Sequence, residues 1–268
     1  MNSVLRIPSL GRIASPSVVV CTGYIAGLVV AERAFIQGGL LAGAICHAVL
    51  LVALLVHHIL APAASYHSLL VAFALLPLMR LVGLAVPVAE LPYLSWHVMV
   101  GVPTLLAAVL VIRAEHIEPK LMGIGSRIDP VVQLLVAAVG IPLGLIGWIA
   151  LRPAPVGLEI GPIQLALSVV VAVVFIAGIE ELIFRGILQG VALRALDSST
   201  GAVAVSAIAY ASLFISSGSP AFILVMLLTA IFFGWVVEVT GSLWGVIASH
   251  ALIAIGLLVA WPVLLGGA

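Results

Sequence analysis

From residue 130 to residue 151 the chain reads PVVQLLVAAVGIPLGLIGWIAL, without one ionisable side chain. A helix of about 20 mostly apolar residues crosses the hydrocarbon core of a bilayer. Stretches that meet this requirement occur at about 16–35, 39–60, 68–88, 91–112, 130–151, 162–193, 201–217, 219–238 and 241–262. Lipid offers the backbone no hydrogen-bond partners, so only helices and closed barrels can span it. The apolar runs are continuous and show none of the alternation of barrel strands. The expected fold is therefore all-α, a polytopic transmembrane helical bundle of eight or nine spans. The first stretch, with Glu32 and Arg33 near its end, decides between the two numbers.

Composition supports this. The 268 residues are 64% hydrophobic and 7% charged, against roughly 25% charged in soluble domains. Ten basic residues balance ten acidic ones, which leaves no basic surplus for a nucleic-acid backbone; no nucleic-acid partner is expected. Cys21 and Cys46 fall in apolar stretches without metal or redox spacing and read as buried apolar residues. Arg6 and Arg12 precede an apolar run, but no cleavage pattern leads into a polar domain, so a retained first span is expected. The longest polar interval, RAEHIEPKLMGIGSRID at 113–129, is too short for a domain. With nine spans, Arg6, Arg12, Arg113, Lys120, Arg127 and Arg194 share one side and Arg33 and Arg152 the other, which places the N-terminus in the cytoplasm. Small residues at GxxxG spacing in GYIAG, GIPLG, GILQG and GSLWG read as helix-packing faces.

Against this background GIEELIFRG, residues 178–186, concentrates charge. Ionisable groups inside a membrane are costly and usually face the bundle interior for a purpose. On a helix Glu181 and Arg185 are four apart and form a natural ion pair. Glu180 lies about 100° round the same helix, free to enter a cavity without a dedicated cation and to act as a general base. His250, in GVIASHALIAIG, is the only histidine of the C-terminal half, suited to acid, hydrogen-bond donor or ligand roles.

EELIFRG resembles the Glu-Glu-x-x-x-Arg signature of the CPBP family, the CAAX prenyl protease 2-like glutamic intramembrane endopeptidases. The later YASLF and FFGWVVEVTGSLWGVIASHAL are similar to that family's further helices, over about 160–262. PLMRLVGLAVPVAELP is similar to the N-terminal extension of some bacterial and archaeal members. The resemblance implies an N-terminal transmembrane extension at 1–129, a protease core at 130–268 and a prokaryotic cell membrane as location. It implies a peptide bond in a membrane-associated peptide or protein as substrate. Glu180 would activate water, Glu181 and Arg185 would support it, and His250 would bind water or the oxyanion, with no cofactor and no metal. The family pattern expects histidine where Gly218 follows Phe214, and asparagine or aspartate at Ala254. Ser216, Ser217 and Ser219 lie near the first of these positions. The alternative is a catalytically inactive relative that binds a partner.

Other residues carry structural expectations. Arg80, mid-span, is read as snorkelling to an interface, with an acid or substrate carboxylate in the cavity as the other partner. His47, His57, His58, His67 and His97 lack the paired spacing of a zincin helix, and zinc on Glu180, Glu181 and His250 would be short of nitrogen ligands. Trp96, Trp148, Trp235, Trp244 and Trp261 fit interfacial belts. Asp197, Ser198, Ser199 or Thr200 can cap a helix. The cavity at Glu180 is expected to be hydrophilic and to open toward the cytoplasmic leaflet. Flux dependent on Arg80 would mark a transporter instead, a reading weakened by the lack of an inverted repeat.

Overall fold

The structure, a computed structural model, describes residues 15–87, 93–124, 129–153 and 161–265. Arg6, Arg12 and Arg127, three of the charges used to orient the chain, lie outside them. The described residues are helical, without strands. They form α1 (Pro16–Leu60), α2 (His67–Ala85), α3 (Tyr93–Ala114), α4 (Pro130–Leu151), α5 (residues 162–196), α6 (Ser199–Ser212), α7 (Pro220–Thr240) and α8 (Trp244–Leu265). Eight helices are long and apolar enough to cross a membrane, and the protein is an integral membrane protein.

The first helix contains two arms. Its 45 residues would reach about 67 Å at 1.5 Å per residue, more than twice the hydrocarbon thickness of about 30 Å. Gly39 resolves the mismatch with φ 76° and ψ −173°, backbone angles that residues with a Cβ avoid. The chain doubles back there: Gly27 faces Leu50, Gly43 faces Phe35, and Tyr24 bonds His57 at 2.9 Å. The arms on either side of Gly39 match the first two stretches read from the sequence, which gives nine apolar helical arms among the described residues.

Successive arms run antiparallel. At one end Ser17 meets Ser65 (3.3 Å), Ser199 donates to Glu238, and the Leu243 amide donates to the Gly123 carbonyl (3.1 Å). Arg194 pairs with Glu118 at this end (3.5 Å). The opposite end holds Gly39, Leu151 and the 3₁₀ turn Ile215–Ser217, where Ser219 donates to the Ala150 carbonyl (3.0 Å).

Helices α4 and α8 approach closely because α4 lacks side chains where they meet. A Cβ on Gly140 would run into the Ser249 carbonyl, next to His250, and Gly144 faces Ile253. Close backbone approach through small residues is how helices associate in lipid. Gly140→Ala is expected to cost about 1–3 kcal/mol through overpacking, read as a lower unfolding midpoint in detergent. Gly23, in the equally spaced GYIAG, would place its Cβ in open space, and Gly23→Ala is expected to leave the midpoint in place. Equal effects at the two positions would contradict this packing account.

Candidate active site

Glu180 and Glu181 sit midway along α5, on the α-helical turn Ile179–Glu181. This turn lies between two π-helical stretches, Ala172–Gly178 and Leu182–Leu188. A π-helical turn displaces a carbonyl from its usual i+4 donor, and such stretches concentrate at functional sites. Neighbouring helices meet part of the resulting demand. The Ser206 hydroxyl of α6 donates to the Phe184 carbonyl at 2.8 Å; in the reverse sense, Gln189 of α5 donates to the Gly234 carbonyl of α7 at 3.0 Å and ties the two helices together. These bonds hold the acidic turn at a set depth and rotation.

The expected pairing of Glu181 with Arg185 is present and fully buried, with Arg185 Nη1 donating to Glu181 Oε1 at 3.1 Å. The guanidinium also stacks on two rings, 4.6 Å from the Tyr210 centroid and 5.6 Å from that of Phe233. Such stacking suits a desolvated cation. The same Glu181 oxygen lies 2.7 Å from His250 Nδ1. A carboxylate only accepts, so the imidazole donates Nδ1–H to it. That bond fixes which ring nitrogen is left: Nε2 faces Glu180, 3.7 Å from Oε2.

Glu180 therefore has an imidazole beside it. No arginine or lysine among the described residues pairs with its carboxylate. Its side chain keeps 27% exposure, whereas that of Glu181 has none. Tyr210 of α6, a residue to which the sequence reading assigned no role, lines the same cavity as Glu180 and packs its ring edge-on to that of His250, centroids 6.3 Å apart.

Glu180, Tyr210 and His250 share one cavity of about 620 Å³, within the range of about 300–1,000 Å³ common for ligand sites. Its walls are mostly apolar, with Arg80, His97, Thr104, Ser216 and Ser217 as further polar members. The lining includes Leu84, Trp96, Leu151, Ser217 and Phe222, all at the end of the bundle opposite Glu118, Lys120 and Arg194. The mostly apolar walls correct the expected hydrophilic cavity. The described cationic loop residues Arg113, Lys120 and Arg194 lie at the other end.

Arg80 does not snorkel. It forms a two-pronged pair with Glu32 of α1 (2.5 and 2.5 Å), and its Nη2 donates to the Leu213 carbonyl (2.6 Å) and Ser216 Oγ (2.7 Å). Glu32 is fully buried and also lies 3.3 Å from His47. The N-terminal hairpin thus contributes an acid that fastens a cationic side chain onto the cavity wall. Trp96 lines the same wall and donates to the Val86 carbonyl (3.2 Å). Ser198 is the residue that caps α6, accepting from the Gly201 amide at 3.1 Å.

The helix end where histidine was expected bears other groups. Gly218 is a left-handed turn residue (φ 70°) with open space around it, and it does not line the cavity. Tyr210, Phe214, Ser216 and Ser217 do, as does Ala254 on α8. Ser219 is committed to capping α7 through the Phe222 amide (3.2 Å).

Residues 162–256 match a family described as Rce1-like, type II CAAX prenyl endopeptidase Rce1-like. The family is one of proteases. The matched segment runs from the start of α5 into α8 and carries Glu180, Glu181, Arg185, Tyr210 and His250. No curated protein and no solved structure matches the chain.

Proposed function

We propose that the chain is an intramembrane endopeptidase of the CAAX-protease type, in which Glu180 activates water against a peptide bond of a membrane-associated substrate. The convergence of the Glu180 carboxylate and His250 Nε2, 3.7 Å apart on the wall of one cavity, carries this reading. The match to a protease family over residues 162–256 supports it.

Each group has a chemical task. Water seated beside Glu180 gives a proton to the carboxylate as its oxygen attacks the scissile carbonyl. The resulting oxyanion takes a hydrogen bond from the Tyr210 hydroxyl or from a protonated His250 Nε2. Glu180 then passes its proton to the leaving amine, the carbon–nitrogen bond breaks, and no acyl-enzyme forms. Glu181 and Arg185 act as positioning residues, holding Nδ1 of His250 so that Nε2 faces the reacting atoms. Mostly apolar walls suit a hydrophobic segment or a lipid-modified chain end.

A second reading, a partner-binding relative without turnover, draws on Gly218 and Ala254, where the family pattern expects histidine and asparagine or aspartate. The purified full-length protein in liposomes separates the two. Internally quenched peptides ending in a farnesylated CAAX sequence, and others containing a single hydrophobic segment, are incubated with it and the products read by mass. Cleavage at one internal bond is expected in one of the two sets. Intact peptides throughout, together with a stoichiometric co-purifying protein, would favour the binding reading.

A further inference from the structure

At the end of the bundle remote from the cavity mouth, three residues distant in sequence come together. His58 lies in the last turn of α1, His67 opens α2, and Glu115 follows the end of α3. One potential ligand atom from each lies within 4.8 Å of the other two. None of the three belongs to the proposed catalytic apparatus.

The arrangement around them is that of metal ligands. His58 Nδ1 lies 3.2 Å from the His67 carbonyl, and His67 Nδ1 lies 3.2 Å from the Ala61 carbonyl. A carbonyl only accepts, so each ring carries its proton on Nδ1 and presents an unprotonated Nε2 when neutral. The carboxylate is oriented as well: Ser68 Oγ donates to Glu115 Oε2 at 2.5 Å. That leaves Oε1 toward His58 Nε2, 3.7 Å away. Ligating histidines characteristically donate their other ring N–H to a carbonyl or carboxylate, and ligating carboxylates are themselves hydrogen-bonded. All three side chains meet this condition.

Electrostatics points the same way. Two imidazoles stack with centroids 3.8 Å apart and planes 21° from parallel, an unfavourable arrangement if both are protonated. A lone pair on Nε2 facing a carboxylate is also unfavourable unless a cation lies near both. A divalent ion satisfies both rings and the acid together once the rings tilt apart from their stack to aim both Nε2 lone pairs at it. A proton on His58 satisfies only one contact.

We propose that His58, His67 and Glu115 bind a first-row divalent transition-metal ion of the zinc type. Two imidazole nitrogens and one carboxylate oxygen suit zinc, with the fourth position open to water. The ion joins the ends of α1, α2 and α3 and so stabilises the N-terminal hairpin that carries Glu32, the partner of Arg80.

The test uses the full-length protein in detergent, stripped with a chelator and titrated with Zn²⁺ by calorimetry and with Co²⁺ by visible absorption. One equivalent of each is expected to bind, with the Co²⁺ spectrum of a nitrogen- and oxygen-ligated site. Zn²⁺ is expected to raise the unfolding midpoint. His67→Ala or Glu115→Gln is expected to abolish the spectrum and the midpoint shift. Ser68→Ala is expected to keep the spectrum and weaken binding by about 10- to 100-fold. Should a ligand variant fail to fold, the Ser68→Ala titration still decides the matter. No saturable binding, or binding unchanged by Ser68→Ala and His67→Ala, would overturn the proposal. Binding lost in Glu180→Gln but retained in His67→Ala would also overturn it, by moving the metal to the catalytic acids.

Discussion

Arg185→Met is expected to destabilise the protein by about 3–5 kcal/mol, the usual cost of removing one partner from a buried ion pair. The guanidinium has almost no exposure and is enclosed by the rings of Tyr210 and Phe233. Its removal leaves Glu181, fully buried, with His250 Nδ1 as its remaining hydrogen-bond partner. A double replacement, Arg185→Met with Glu181→Gln, is expected to be less destabilised than the sum of the two single variants, because no unpaired charge remains. Equilibrium unfolding in detergent reads both quantities. A single variant within about 0.5 kcal/mol of the parent, typical of surface changes, would show that the pair is not the buried anchor described here.

Much of this bundle was legible in the sequence, because bilayer thickness sets a length that apolar runs must meet. Residues 130–151 form α4 from end to end as expected. The count between eight and nine turned on Gly39, whose positive φ no hydropathy value reveals. The pairing of Glu181 with Arg185 was legible as well, being local to one helix. Contacts between helices were not. Only the family resemblance placed His250 in one site with Glu180; the residues alone could not show that α8 brings its imidazole, 70 residues away along the chain, to 3.7 Å. It also left Tyr210 without a role and read Arg80 as snorkelling, since its partner Glu32 lies 48 positions away. The site at His58, His67 and Glu115 is dispersed for the same reason: each residue ends or follows a different helix. Loop charge carries no information on where a bundle is hollow, and the cavity lies toward the end opposite Arg113, Lys120 and Arg194.

Glu180→Gln tests the central claim most directly. Glutamine keeps the size of the side chain, but it cannot take a proton from water at neutral pH. Glu180 has no arginine or lysine partner among the described residues and keeps contact with the cavity, so the unfolding midpoint is expected to remain near that of the parent. A general base contributes about 10²- to 10⁴-fold to rate. The measurement is the cleavage rate of one peptide substrate by the purified parent and by Glu180→Gln at equal folded concentration in liposomes. The predicted result is a loss of at least about 100-fold with the unfolding midpoint unchanged. Cleavage by Glu180→Gln at the parental rate would contradict the assignment of Glu180 as the group that activates water.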